Sequence, residues 1–230
     1  MYDALVNVNG EQVPTLDILL LLTIISLLPS LLIMVTSFAR TMIILSFLRT
    51  AMGVQQTPPN MVLVGIAIFL TIYIMNPVIS EINTDAYTPY RNNEITQEEA
   101  LNRAQVPLKR FMLRNTETSS LNLFADFSGE ELPDEGEYED TDAYVEALMD
   151  LPMTTVIPSF MTSELKRGFT AGFLLYIPFL LIDIVVSSTL MSMGMMMLLP
   201  AMISMPFKLL LFITVDGWEL LFSSIVTGFN

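Results

Sequence analysis

Four apolar runs, residues 16–38, 61–78, 168–199 and 202–229, leave this chain few ways to fold. Each has about the twenty residues needed to cross a bilayer core as a helix. A chain of 230 residues would otherwise suggest one or two soluble domains. The runs overrule that and predict an all-α integral membrane protein of long helical hairpins.

Charge divides the chain further. Of its 24 acids, 18 lie in residues 81–164 with only five of the ten bases, so the net charge of −14 belongs to one segment. A nucleic-acid partner is excluded by that balance. Cysteine and histidine are both absent, which removes disulfides, cysteine or histidine metal sites and histidine acid–base chemistry. Nothing matches a phosphate-binding Gly-Lys-Ser/Thr loop. No catalytic, cofactor-binding or metal residues are expected, and the chain does not read as an enzyme. Residues 1–14 hold no base ahead of the first run, so no secretory signal is expected in the sequence as it stands.

Arg40 and Arg49 follow the first run with no acid nearby, and the positive-inside rule then places residues 39–60 on the cytoplasmic side. Three regions result. Residues 1–80 form an N-terminal helical hairpin region, 81–164 an extracytoplasmic helical segment, and 165–230 a C-terminal helical hairpin. Lys166 and Arg167 would flank the third run on the outer side, against the rule. The third run also holds 32 residues, about 48 Å of helix against roughly 30 Å of hydrocarbon. The stretch 41–54 is too apolar for a solvent loop and predicts a packed helix, stopped by Pro58 and Pro59.

In the outer segment, Thr96 and Glu99 have capping-box spacing, with Leu101, Ala104, Leu108 and Phe111 following at helical intervals to a kink at Pro107. Residues 126–142 hold nine acids in 17 positions, the composition of a solvated, mobile loop. A calcium loop would need acids and a central glycine in a register this stretch lacks.

Asp183, Asp216 and Glu219 lie inside apolar runs, where a charge costs roughly 2.5–3.5 kcal/mol if it faces lipid. A fold-back at Leu199 and Pro200 would bring Asp183 and Asp216 to one depth. Each then needs a hydrogen-bond partner, a cation or a proton, and a proton relay is the sharper reading. Lys208 needs an acidic partner, with Glu164 and Asp183 both candidates. Gly168 and Gly172 form a GxxxG pattern, which lets helices approach closely and, beside overlong runs, favours self-association.

Residues 191–200, MSMGMMMLLP, place Met191, Met193, Met195, Met196 and Met197 at the inner end of the last hairpin. Methionine fills irregular apolar space. Thioethers also favour Cu(I), and Met191 and Met195 share a helix face, though no cysteine or histidine exists to receive the ion. A third reading follows from position: several such bends around an axis would make a flexible apolar ring able to seal a pore and yield to a passing chain.

Five stretches carry a resemblance: LLTIISLLPSLLIMVTSFART (21–41), LRTAMGVQQTPPN (48–60), PLKRFMLRNT (107–116), residues 157–212 and VDGWELL (215–221). In that order they resemble the FliP family of flagellar biosynthetic proteins, components of the bacterial type III protein-export apparatus. The resemblance implies a multi-pass subunit of the bacterial inner membrane, in the export apparatus of the flagellar basal body. It implies assembly with copies of itself and with FliQ and FliR into a helical export gate near FlhB and FlhA, through which unfolded flagellar substrates pass. It implies hairpins that rise out of the usual membrane plane. Met195, Met196 and Met197 fall on the family's methionine gasket, with Met191 and Met193 flanking a gate loop at 191–200. A candidate intersubunit ion pair of Glu164 and Lys208 is read from the same source. The virulence secretion systems contain a relative, but SFARTMIILSFLRT and QQTPPN are more similar to the flagellar branch. Members commonly begin with a cleavable signal sequence, and the acidic stretch 126–142 reads as an expansion. A Cu(I) transporter and a structural membrane scaffold are the rival classes.

Overall fold

The computed structural model describes residues 5–8, 11–54, 57–195 and 198–229. Among these, the fold is helical apart from one antiparallel hairpin, β1 (Leu5–Val8) with β2 (Glu11–Pro14), in which Leu5 faces Pro14 and Val8 faces Glu11. The all-α expectation holds, with this short hairpin added ahead of the first run. Its sequence cue is Asn9-Gly10 between two short strand-forming stretches, the strongest short-range hairpin signal.

The first apolar run is α1 (Thr15–Val35), and none of its window Ile18–Val35 is buried in the chain. It is apolar on every side, as a lipid-facing or partner-facing helix must be. Its Thr23 and Ser26 hydroxyls donate to the carbonyls of Leu19 and Thr23, so neither is left unsatisfied.

The stretch expected to be a packed helix is α2 (Phe38–Ala51). Gly53 follows at φ 75°, and α3 (Asn60–Ile82) begins directly after Pro59, where the proline pair starts a new helix. A π-helical turn at Asn83–Tyr87 and a short α4 (Thr88–Arg91) complete the ascent into the outer segment.

That segment contains α5 (Gln97–Arg114), α6 (Thr118–Ser128) and α7 (Thr141–Ala147) around a core of Met112, Leu121, Tyr144, Leu148, Val156 and Phe160. Thr96 Oγ1 accepts from the Glu99 amide at 3.2 Å, half of the expected capping box; the Glu99 carboxylate turns instead to Arg103 at 2.6 Å. α5 continues through Pro107 as one helix. Ala104, Leu108 and Phe111 are partly buried as expected, while Leu101 is exposed because the helix meets its neighbours only further along.

The acidic stretch is mostly exposed, as expected of a solvated segment, and several of its carboxylates make local bonds. Asp134 accepts from the Gly136 amide at 3.1 Å, Asp140 caps α7 through the Ala143 amide at 2.7 Å, and Asp142 pairs with Arg114. Glu135 accepts from the Thr118 hydroxyl at 2.9 Å. Capping puts several carboxylates at helix starts, where amides attract them. Among the described residues, no group of three or more acids converges as a metal site would.

The third run belongs to α8 (Met153–Ser192), 40 residues and thus about 60 Å long. It starts inside the outer segment and continues through residue 165 without a break. The fourth run is split into α9 (Pro200–Thr214) and α10 (Gly217–Thr227), bent by 64° at Asp216, whose φ is 50°.

Contacts between α2 and α8 revise the four-span drawing. Arg40 meets Glu164, Ile43 meets Gly168 and Phe47 meets Gly172, so the two helices run parallel. Arg40 therefore sits level with the outer segment, while Ala51 lies about 16 Å further along. Within the expected connection 39–60, the helix Phe38–Ala51 packs along α8, in keeping with its apolar sequence.

Candidate functional site: two charge clasps and the methionine turn

Arg40 and Glu164 are both buried, at 5% and 0% exposure, and form a fork-to-fork pair in which Arg40 Nε donates to Glu164 Oε2 at 3.0 Å. The remaining guanidinium donor reaches the Gly228 carbonyl at 2.8 Å. Its flat face lies 3.7 Å from the centre of the Phe229 ring, which stacks on Phe111. Planarity and five donors suit arginine to this place, and a lysine would fill neither geometry. Arg40, counted with Arg49 for the positive-inside rule, is buried in the α2–α8 seam and fixed on Glu164.

The second clasp joins α9, α8 and the end of α2. Lys208, 3% exposed, donates to Asp183 at 2.6 Å and to the Ala51 carbonyl at 3.0 Å, and the Ser204 hydroxyl donates to Asp183 at 2.6 Å. A cation on the last carbonyls of α2 satisfies groups that a helix end leaves unpaired. Of the two acids expected for Lys208, Asp183 takes it within the chain, and Glu164 pairs with Arg40. Ser204 was missed, although its spacing of four from Lys208 put it on the same helix face. The Ala51 carbonyl had no sequence signal.

Asp183 facing Lys208 centres the hairpin turn near residue 195, earlier than the expected fold-back at Leu199 and Pro200. Asp216 consequently does not meet Asp183. It stands exposed at the bend, and Glu219 is exposed in the first turn of α10.

Gly168 and Gly172 are buried under α2. A Cβ on Gly172 would fall 2.5 Å from Phe47 Cγ, and one on Gly168 would fall 3.3 Å from Ile43. The GxxxG face, expected to favour self-association, is used inside the chain.

At the turn, Gly194 has φ 73°, which lets the chain leave α8 sharply. Met191, Met193 and Met195 are exposed at 66%, 64% and 43%. Met196 and Met197 lie outside the described residues. The structure therefore sets at least three soft apolar side chains at the tip of the longest hairpin, none of them used as core.

Residues 21–225 of this helical, apolar chain match the FliP family. The chain belongs to that family. It is 48% identical over 215 residues to the flagellar biosynthetic protein FliP of Bacillus subtilis, covering 94% of this chain and 92% of that one. It is 44% identical to FliP of Aquifex aeolicus, covering 96% and 89%, and 44% identical to FliP of Pectobacterium carotovorum, covering 96% and 82%. This FliP-family chain is a membrane-embedded component of flagellar biosynthesis and export, and not an enzyme.

The outer charges that resisted the topology also find a partner in this FliP-family fold. Glu117 accepts from Lys166 at 2.5 Å and lies 3.7 Å from Arg167, while its backbone amide donates to the Ser163 hydroxyl at 2.9 Å. The hydrogen bond from Lys166, aided by both positive charges, holds the Glu117 carboxyl below its ordinary range against a smaller effect of burial. A carboxylate lowered in the folded state gives its full stabilisation above about pH 4.3 and loses it as pH falls through the lower, folded value. Protection factors of the α6 amides, with the intrinsic pH dependence of exchange divided out, are therefore expected to be unchanged between about pH 7 and pH 5 and to fall below about pH 4. Glu117→Gln should remove that acid-dependent part; an equal acid response in the variant would assign it elsewhere.

Proposed function

We propose that this chain is a core subunit of the gate through which unfolded flagellar proteins cross the bacterial inner membrane, built from copies of itself with FliQ and FliR, near FlhA and FlhB. One observation carries the reading: a methionine-rich turn, exposed and unneeded for the fold, at the tip of a hairpin too long for a simple span. Copies arranged about an axis bring these tips together. Met195, Met196 and Met197 then line a constriction whose side chains are apolar enough to exclude ions and flexible enough to deform around a passing polypeptide. Use in a flagellar gate, and not a virulence one, is supported by the names of the similar proteins.

Replacing all three residues by alanine in cells making the full gate is expected to open a small-ion leak across the inner membrane while export of flagellar proteins continues. A membrane as tight as before would return the turn to packing and remove the gasket from the account.

A further inference from the structure

Arg49, Asp216 and Glu219 are the charged groups of the hairpin region that neither clasp uses, and among the described residues none has an ion-pair partner. Each lies in strongly apolar surroundings. Arg49 is half-buried in the last turn of α2. That position suits the helix dipole, but a dipole is no counter-ion in an apolar setting, and Lys208 already occupies the carbonyl end.

Their placement is complementary. Arg40, Ile43 and Phe47 face α8, and residue 49 is two positions beyond Phe47, about 200° around the helix, so Arg49 faces away from α8. Asp216 and Glu219 stand on the exposed side of the α9–α10 bend, beside Leu210, Ile213 and Leu220, which are 63%, 71% and 60% exposed. The heights match. Ser204 and Lys208 both reach Asp183, which places Asp216 opposite the stretch of α8 from Ala171 to Leu175. Gly168 against Ile43 and Gly172 against Phe47 set that stretch level with Ser46 to Thr50. Arg49 and Asp216 thus lie within about one helical turn of the same level, on different flanks.

We infer that Arg49 of one copy pairs with Asp216 and Glu219 of the next. The contact uses two different flanks, so it is head-to-tail and propagates around a ring or helix of subunits without closing a two-fold dimer. It rests on the self-assembly in the proposed function and adds the surfaces that meet. Apolar side chains around both carboxylates exclude water from the pair once the flanks join, which strengthens it and makes a wrong neighbour costly.

The absence of cysteine gives a clean background for the test. Arg49→Cys and Glu219→Cys together, in cells making the full gate, are treated with a short thiol-specific crosslinker. A ladder of linked subunits that needs both cysteines supports the contact. Linkage confined within single chains, in an assembly of unchanged size, overturns it and leaves the gate reading intact. Loss of any multi-subunit assembly in the unmodified chain would overturn that reading as well. Charge reversal supplies a second measurement: Arg49→Glu should lower flagellar export about tenfold or more, and adding Asp216→Lys and Glu219→Lys should restore most of it. Failure of the combination to improve on Arg49→Glu also counts against the pair.

Discussion

Truncating Glu164 to alanine is expected to destabilise the fold by about 3–5 kcal/mol, because it strands the buried Arg40 guanidinium without a counter-charge. The magnitude comes from the charge left behind and not from the pair itself. Taking both ions out of water costs nearly as much as their attraction returns, so an apolar replacement of both should be far milder. Arg40→Met with Glu164→Leu is the comparison. That double variant leaves the Gly228 carbonyl without its donor, and a lost buried bond leaves a residual penalty of about 1–3 kcal/mol. Thermal unfolding in detergent should therefore rank the parent first, the double variant next and Glu164→Ala last. The gap between first and last should reach roughly 10 °C for a chain of this size. If the double variant were the less stable of the two, Arg40 would be holding the C-terminal end through Gly228 and Phe229 more than it holds Glu164.

This pair also marks where sequence reasoning stopped. The four apolar runs and a packed helix within residues 41–54 were legible, because length and hydropathy act locally; its end was not, since the helix stops at Ala51 before a left-handed Gly53 and the prolines start α3 instead. Lys208 visibly needed an acid. Which acid it takes depends on how α8 and α9 are registered, and registry is set by packing around Phe179 and Phe212, which are tilted together with ring centres 6.5 Å apart. The partner of Arg40 was hidden for the same reason: its burial follows from α2 lying along α8, a contact between residues more than a hundred positions apart. The bend at Asp216 was hidden inside a run that is apolar throughout. Gly217 there sits so close to Phe212 that a Cβ would fall 2.3 Å from the ring. A composition-based reading sees only a glycine in an apolar stretch.

Gly172→Ala is expected to destabilise the fold while Gly168→Ala leaves it nearly unchanged, although the two glycines differ in sequence by about one helical turn. In a helix interior, alanine is favoured over glycine by about 0.5–1 kcal/mol. At Gly168 the added methyl would meet three atoms of Ile43, each at 3.3 Å. A shift of a few tenths of an ångström relieves that, so the substitution should be near neutral. At Gly172 it would fall 2.5, 2.6 and 2.9 Å from Cγ, Cδ2 and Cβ of Phe47. Those atoms are the root of the side chain and cannot swing away alone. Phe47 is also held edge-on to Phe169, with ring centres 5.6 Å apart. Relief requires α2 to move off α8, and overpacking of this kind costs about 1–3 kcal/mol, more than the propensity returns. That movement would strain both clasps, since Arg40 and the Ala51 carbonyl lie at opposite ends of the same helix. Combining Gly172→Ala with Phe47→Leu should recover part of the loss, giving a coupling of at least about 0.5 kcal/mol in a double-mutant cycle. Equal tolerance at both glycines would mean that α2 is not seated on α8 through this face. The GxxxG face would then be free for another subunit, as its sequence pattern first implied.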